Sequence, residues 1–441
     1  MKMRIRTFIA KLFATYWFLP SMMAVLAATL SVLSVRLDQA LEERISGLVW
    51  LYAGGPEGAR TLLSTVAGSM ITVAGVTFSI TIVALSFASA QLGPRLLDNF
   101  LRDRGNQVVL GTFISTFLYC LLVLLSIRGS DSQIFVPEIS VTFGIALALM
   151  SIGVLIYFFH HVSTSMHAEE IVATVGMELD RAVDKLLPGR TGIGMFESEP
   201  RDEQDIPPKF DEKALGVGDA RSGYLQSVDF ESLLALAREH DLLMRINYRP
   251  GDFIPPEKDI VDLWPPKRLD DKIYQQINQA AIIGIYPSWN QDMTYAVNQL
   301  VAIALRALSP SINDPFLAMS CIDRLGAALI RLAQKSIPPS YRYDEGGKLR
   351  LITSSFSFEG VLDRSFNQIR QAAVSDVAVM LRLLETLSTI AGVVERAEQK
   401  EALLRQGEMI RRAGDRFVAE KLDQKDILQR YRSLKQILEA G

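Results

Sequence analysis

Hydroxyl side chains within an uncharged stretch are the residues of this chain whose types and spacing suggest a function. Residues 64–90 contain no charged side chain, yet nine of these 27 positions are Ser or Thr. At 3.6 residues per turn, six small or polar residues fall near one helix face: Ser64, Gly68, Thr72, Gly75, Ser79 and Ser86. Such a face can pack closely on another helix or line a polar path for ions or solutes. Both interpretations stay open at this point.

Charged residues at the carboxyl end of this stretch suggest ion selectivity. Gln91, Arg95 and Arg102 follow it directly, and Pro94 is expected to turn the chain there. If several copies surround an axis, Arg95 would form a basic ring at the inner mouth that favours anions and repels cations. The alternative is an ordinary cytoplasmic anchor, because cytoplasmic loops carry Lys and Arg by default.

Three of the four histidines lie together and suggest a metal site. On a continuous helix His160 and His167 share a face, with Glu170 one turn further on, so they could bind a divalent ion. The alternative is that they mark the point where a helix leaves the membrane. We find no Ser-His-Asp order, paired carboxylates or phosphate loop, and therefore predict that the protein is not an enzyme and needs no cofactor.

Four apolar stretches must position these residues. Trp17–Val35, Ser64–Ala90, Val108–Ile127 and Val136–Phe159 are each long enough to cross a bilayer core of about 30 Å. Basic residues are more frequent before the first and after the second stretch than in the other two flanks, which predicts an inner-membrane protein with both termini in the cytoplasm. The first stretch is expected to remain as an anchor, because no convincing signal-peptide cleavage site follows it.

The rest of the chain has the composition of a soluble domain. Charged residues become frequent after residue 161, and no later stretch is long and apolar enough to span. The predicted fold class is an α-helical membrane protein of about four transmembrane helices, followed by a cytoplasmic α+β domain with a small β-unit and a helical bundle. Its predicted parts are the spans at 1–165, a helix and flexible linker at 166–220, the β-unit at 221–266 and a mainly helical domain at 267–441.

Local patterns predict the elements of this cytoplasmic domain. A helix is expected to continue from the fourth span over Met166–Leu187, and Gly192–Asp219 reads as a linker. Strands are predicted at 223–229, 242–249, 253–254 and 260–264, with Asp229 capping the helix at 230–239. A helix at 294–308 is followed by another that Asp314 caps, with Pro315 in its first turn. A short hairpin is expected within 336–358, and helices over 362–438 with breaks near Gly392 and Gly414.

Charge and cysteine content exclude several classes of partner. The net charge of −3 implies no nucleic-acid partner. Cys120 and Cys321 are the only cysteines, and they offer neither a disulfide framework nor a metal-type pair.

Several motifs resemble those of a family of bacterial predicted membrane proteins catalogued as domain of unknown function 2254. In the membrane part these are residues 90–97 (AQLGPRLL) and 102–113 (RDRGNQVVLGTF). In the cytoplasmic part they are residues 221–226 (RSGYLQ), 249–253 (RPGDF) and 306–315 (RALSPSINDP). The last motif includes Arg306, Asn313 and Asp314. A Gly-Leu/Ile-Arg-Gln pattern is common in the family before it, and residues 293–299 (MTYAVNQ) lack that Arg. The resemblance implies kinship over most of the chain and no particular activity.

These observations give two functional hypotheses. The first is a homo-oligomeric channel or channel-like transporter for ions or small solutes, lined by the Ser64–Ala90 helix and gated or assembled by the cytoplasmic domain. Phe78 or Phe87 could narrow its path. The alternative is a non-conducting membrane sensor or scaffold whose cytoplasmic domain binds a ligand or a protein partner. A channel predicts that the hydroxyl face turns away from its own subunit, whereas a scaffold predicts that the other three spans bury it.

Overall fold

The protein divides into two compact units, residues 1–170 and residues 171–441, which we describe separately. The computed structural model describes residues 17–45, 52, 54–92, 103–130, 133–165, 167–187, 205–218, 222–266, 270–287, 291–354 and 356–440.

Four long helices make up most of the described part of the first unit. They are α1 (Phe18–Ile45), α2 (Pro56–Leu92), α3 (Arg104–Leu124) and α4 (Glu138–Ser165). Each contains a segment long and apolar enough to cross a membrane. Backbone hydrogen bonds within a helix satisfy every peptide group in the hydrocarbon, so long apolar helices are the form that such sequences take in a bilayer. Two short antiparallel strands, β1 (Arg128–Ser130) and β2 (Gln133–Phe135), join α3 to α4.

The third helix lies at the centre of this unit. α3 packs against α1, α2 and α4, and half of its apolar window is buried, compared with 17% to 28% for the other three. Phe113, Tyr119 and Cys120 on α3 are fully enclosed. Most of the membrane core is therefore built around α3, and the remaining helices keep large outer faces.

Two sheets form part of the second unit. The five-stranded sheet has the order β3 (Leu215–Gly218), β7 (Asp259–Trp264), β5 (Leu243–Ile246), β10 (Leu349–Ile352), β9 (Tyr341–Tyr343). All of its pairings are antiparallel except β5 with β10. The three-stranded sheet has the order β6 (Phe253–Ile254), β4 (Gly223–Val228), β8 (Ala281–Gly284). An apolar core that includes Leu225, Met244 and Ile246 joins the sheets to α7 (Phe230–Glu239) and α8 (Asp271–Ala280).

Helices form the rest of the second unit. They are α5 (Ala168–Leu186), the single turn α6 (Phe210–Lys213), α9 (Thr294–Ala307), α10 (Pro315–Ala333), α11 (Phe358–Ala372), α12 (Val377–Ala391), α13 (Ala397–Phe417) and α14 (Lys421–Ala440). The last six pack on one another, and α5 is joined to α10 by ion pairs from Asp180 and Asp184 to Arg331.

Most of the predicted elements are confirmed, including the four spans and the strands at β4 to β7. Asp229 caps α7 through the Ser232 amide, and Asp314 caps α10 with Pro315 in its first turn. The expected hairpin is β9–β10, and α12 ends before Gly392.

Four boundaries differ from the sequence predictions. α4 ends at Ser165 and a new helix begins at Ala168, so no continuous helix joins them. The predicted linker contributes β3, whose four residues pair with the edge of β7. The sheets extend beyond the predicted 221–266 unit, since β8, β9 and β10 come from later in the chain. Gly414 lies inside α13, where Ile427 packs so closely that a Cβ atom would lie 3.0 Å from its side chain.

Candidate functional site

The predicted hydroxyl face of α2 points away from its own subunit. All six of its predicted residues are exposed: Ser64, Gly68, Thr72, Gly75, Ser79 and Ser86. Successive helix residues are about 100° apart, so the six fall within an arc of about 80°. We call this arc the small-residue face. A Cβ atom at Gly68 or at Gly75 would meet no atom within 4 Å.

The opposite side of α2 holds the helix in its own bundle. Its buried apolar residues are Ala59, Leu63, Ala67, Met70, Ala74 and Ala84. Thr77 and Thr81 are also buried there, and each hydroxyl donates to the carbonyl three or four residues earlier. The helix thus has one face for its own subunit and a separate face of small residues.

The exposed hydroxyls are satisfied within the helix itself. Ser64 donates to the Thr61 carbonyl at 3.0 Å, Thr72 to Gly68 at 2.8 Å and Ser79 to Gly75 at 2.9 Å. Such bonds remove the cost of an unpaired donor in hydrocarbon. Each oxygen keeps a lone pair that could accept a hydrogen bond from water or from another helix.

A buried carboxylate joins α1 to α4 at one end of the bundle. Asp38 is 6% exposed and accepts from the Ile139 amide at 2.8 Å, the Ser140 amide at 3.0 Å and the Ser140 hydroxyl at 2.6 Å. It therefore caps the first turn of α4 from a distant helix. Tyr119 extends the network, since its hydroxyl donates to the Ser140 carbonyl and lies 3.0 Å from Ser34 Oγ.

At the other end of the bundle a second polar contact joins α3 to α4. Asp103 caps α3 through the Gly105 amide at 2.9 Å, and its other oxygen lies 2.5 Å from His161 Nε2. The His161 ring stacks on Tyr157 with centroids 5.3 Å apart. Nearby in the first turn of α3, Asn106 is 2% exposed and neither of its amide atoms has a hydrogen-bond partner. Hydrogen bonds therefore fix α4 at both of its ends.

These two contacts are not predictable from the sequence. The available signal for Asp38 is its position, three residues beyond the first predicted span, because a carboxylate at membrane depth normally has a partner. Nothing in the local sequence identifies Ser140 as that partner, since the two residues are 102 positions apart.

The predicted inner-mouth residues are only partly described. The backbone of Gln91 belongs to α2, whereas Arg95 and Arg102 lie outside the described residues. The basic ring is thus a prediction from the sequence alone.

The predicted metal ligands lie on different elements of the structure. His160 is exposed on α4, His167 lies between α4 and α5, and Glu170 is exposed on α5. His167 Nδ1 lies 3.0 Å from the Thr164 carbonyl oxygen. Within the described part of the chain, no group of three or more His, Cys, Asp or Glu residues could hold a metal ion. The expected shared face depended on a continuous helix, which ends at Ser165.

The predicted family-motif loop forms a tight connection between α9 and α10. The Arg306 carbonyl accepts from the Ser309 amide and hydroxyl, at 3.1 Å and 2.6 Å. Asn313 adopts a left-handed φ of 51°, and Asp314 accepts from the Leu317 amide at 3.0 Å. These hydrogen bonds show that the motif stabilises the turn between α9 and α10.

The other two cytoplasmic motifs contact each other. The Leu225 amide donates to the Asp252 carbonyl at 2.9 Å, and the Gly251 amide donates to the Leu225 carbonyl at 2.8 Å. Gly251 lies against the buried carboxylate of Asp292, which accepts from the amide and hydroxyl of Thr294. Burial raises the pKa of Asp292, and the Thr294 hydrogen bonds oppose that shift. The arrangement secures the start of α9.

Comparison with known proteins identifies the family. The sequence model of a family described as "Predicted membrane protein (DUF2254)" matches residues 14–389. Uncharacterized proteins of Mycobacterium bovis and Mycobacterium tuberculosis strain H37Rv are each 33% identical over 384 residues, covering 86% of this chain and 72% of theirs. No solved structure matches. The chain, with four candidate membrane spans and a mixed second unit, therefore belongs to this family of membrane proteins.

Proposed function

We propose that several copies of this chain assemble in a bacterial inner membrane, with both termini in the cytoplasm, into a channel or channel-like transporter. The small-residue face of α2 would line the path for ions or small solutes, and the second unit would gate or assemble it. A single subunit of four spans leaves little room for a path, so the proposal requires a homo-oligomer.

The outward orientation of the small-residue face supports this proposal. A scaffold whose spans only hold themselves together would bury Ser64, Thr72 and Ser79, yet all three are exposed. Small residues are the ones that let transmembrane helices approach closely, and hydroxyls suit a wet surface. A face of this composition has no evident use against lipid tails.

Ile82 is the residue expected to narrow the path. It lies within the same arc, between Ser79 and Ser86, and is 46% exposed. An apolar ring at this level would restrict water and ions, as hydrophobic constrictions do in gated pores. Ile82 replaces Phe78 and Phe87 as our candidate, because Phe78 lies beside the arc and the side chain of Phe87 is outside the described residues.

The alternative function is a non-conducting sensor or scaffold. The hydroxyls of Thr72 and Ser79 donate to their own helix, so the face needs no water to satisfy them. Dense packing of several α2 helices would then give an assembly without a path.

Two matched substitutions test the proposal. Gly75→Leu places a bulky side chain on the small-residue face, and Gly153→Leu places the same side chain on the outer surface of α4. A Cβ atom at either position meets nothing within 4 Å in the subunit, so both variants are expected to fold. We would measure subunit number by native mass spectrometry and ion flux in liposomes.

The expected result is that Gly75→Leu abolishes flux whereas Gly153→Leu behaves as wild type. If Gly75→Leu loses flux but keeps the oligomer, the result supports a small-residue face that lines the path. If it loses both flux and the oligomer, the result supports a path that forms when the small-residue faces pack together. Wild-type assembly without flux in any salt favours the scaffold, and normal assembly and flux in Gly75→Leu contradicts the proposal.

Two further variants examine the path itself. Ser79→Leu is expected to block flux by filling the face with an apolar side chain. Arg95→Glu is expected to change the preference from anions to cations, because it reverses the charge of the predicted ring. Unchanged selectivity in Arg95→Glu would remove the ring from the proposal.

A further inference from the structure

A cavity in the second unit combines an aromatic side chain with carboxylates. It is an open cleft of about 460 Å³ where the strands β5, β7 and β10 begin or end. Its lining includes Asp205, Asp241, Trp264, Lys348 and the Gly346–Gly347 turn. Ligand sites in proteins usually measure about 300 to 1,000 Å³, so the volume suits a small molecule.

Buried apolar side chains form part of the cavity lining. Leu242 and Leu243 are buried at the start of β5, and Leu349 is buried at the start of β10. Trp264 pairs with Leu243 across the sheet and packs its ring 6.2 Å from that of Phe210. Its indole is thus fixed by the core and remains half-buried at the edge of the cleft.

Asp241 adopts a left-handed backbone conformation in the wall of the cavity. Asp241 has a left-handed φ of 51°, which is uncommon for a residue other than Gly. Its carboxylate accepts from Lys348 at 2.5 Å and from Arg350 at 2.7 Å. Hydrogen bonds from these two cations lower the pKa of Asp241 to about 2, so the group stays ionised. The positive charge of Lys348 is therefore balanced by the carboxylate of Asp241 beside it.

Asp205 differs from Asp241 in its partner. Its Oδ2 atom accepts from the Tyr343 hydroxyl at 3.0 Å, which orients the carboxylate without cancelling its charge. Taken together, two carboxylates and one ammonium group among the lining residues give the cleft a net charge of −1 (two negative, one positive). The backbone amides of Gly347 and Lys348 already donate to Asp344, so they are not available to an anion.

We propose that this cleft binds a small molecule carrying an ammonium group, with the cation between the indole face of Trp264 and the carboxylate of Asp205. Cations bind over Trp more strongly than over other rings, and a neighbouring carboxylate adds charge attraction. The site lies entirely within the second unit. It is independent of the proposed conduction, because its binding can be measured without flux.

The test uses the detergent-solubilised full chain and four probes. Choline and putrescine supply quaternary and primary ammonium groups, 3,3-dimethylbutan-1-ol is the neutral isostere of choline, and inorganic phosphate supplies an anion. We would measure the Kd of each by isothermal titration. The expected result is saturable binding of at least one cation, with the neutral isostere weaker by about tenfold or more.

Three variants locate the site. Asp205→Asn keeps the hydrogen bond from Tyr343 but loses the charge, and is expected to raise the Kd for the cation by about tenfold. Trp264→Leu is expected to raise it as well, with circular dichroism as the check on folding. Asp259→Asn removes an exposed carboxylate at the other end of β7 and should leave the Kd unchanged.

Four results would overturn the inference. The first is that neither cation binds saturably up to about 20 mM, and the second is that the neutral isostere binds with the same Kd as choline. The third is that phosphate binds and the cations do not. The fourth is that Asp205→Asn and Asp259→Asn change the Kd for the cation equally. Because Asp205→Asn is isosteric, the inference stays testable if Trp264→Leu does not fold.

Discussion

Asp38 is a residue of the membrane unit whose replacement is expected to lower stability, because its carboxylate is buried and accepts three hydrogen bonds. Replacing it with Ala would leave two amides and a hydroxyl of α4 without their acceptor in a buried site. We expect Asp38→Ala to lower the free energy of unfolding by about 3 kcal/mol. The measurement is unfolding of the detergent-solubilised protein in a denaturant titration.

The matched control for this prediction is Glu57→Ala. Glu57 is also acidic, but it is exposed in the first turn of α2. Surface substitutions usually change stability by less than about 0.5 kcal/mol. Equal stability of the two variants would show that the Asp38 network contributes little.

Gly251 is a second residue at which the fold tolerates little change. Its φ is 99°, and a Cβ atom would lie 2.2 Å from Asp292 Oδ2. We therefore expect Gly251→Ala to lower the unfolding free energy by about 2 kcal/mol or more. Gly392→Ala is the control, because its φ is −67° and a Cβ atom there meets only an ordinary contact at 3.5 Å. A stable Gly251→Ala protein would mean that the turn can relax.

The sequence allowed prediction of single residues only where their role is local. Asp229, Asp314 and Pro315 were predicted correctly because a cap depends on neighbours within three positions. The partners of Asp38 and His161 lie 101 and 58 positions away in sequence, and only the tertiary packing reveals them.

At the scale of the helix, α13 carries an ion pair that makes stability depend on pH. Hydrogen bonding by Arg411, at 2.7 Å, lowers the pKa of Glu408 from 4.5 to about 2. Because the folded pKa lies below the unfolded one, this contribution is present above the unfolded pKa and is lost as pH falls through the folded pKa. The sensitive range is therefore from 4.5 down to about 2.

Glu408→Gln tests this pH dependence. We expect wild type to be more stable than the variant near neutral pH, and the difference to shrink at about pH 3. Circular dichroism of the purified chain during thermal unfolding would measure it. Glu401→Gln, an exposed change in the same helix, should show no such trend. A difference that is constant with pH would contradict the assigned pKa.

Element positions were more predictable than their ends and pairings. Long apolar runs and the alternation within residues 242–249 are properties of contiguous residues, and the four spans and β5 are confirmed. The strand β3 and the continuation of α13 through Gly414 could not be predicted. Both depend on a partner element, β7 in one case and Ile427 of α14 in the other. The small-residue face of α2 is predictable from the spacing of its residues. Only the structure shows that this face points away from its own subunit.

At the scale of the whole molecule, the proposed assembly can be examined with cysteines. Cys120 and Cys321 are buried, so an added cysteine is expected to be the reactive one. We would place it by Gly75→Cys and, as the control, by Gly153→Cys, in native membranes. Disulfide formation requires Cα atoms within about 7 Å, and reaction with a water-soluble thiol reagent requires access to water.

The outcomes separate packing from lining. A disulfide in Gly75→Cys but not in Gly153→Cys would indicate that the small-residue faces pack together. Modification of Gly75→Cys by the reagent without a disulfide would indicate a wet path. If Gly75→Cys shows neither, the face lies against lipid and the proposed assembly is wrong.

The contact between Asp38 and α4 also has a consequence for synthesis of the protein. The carboxylate and the Ile139 amide that it accepts from are 101 positions apart. A ribosome adds about 5 to 20 residues per second, so the first span waits roughly 5 to 20 s for this partner. During that interval the acidic residue must stay near the headgroups or be shielded by the insertion machinery. Completion of the fourth span is therefore the step that supplies Asp38 with its hydrogen-bond partners, and a chain arrested before it would leave the carboxylate without them.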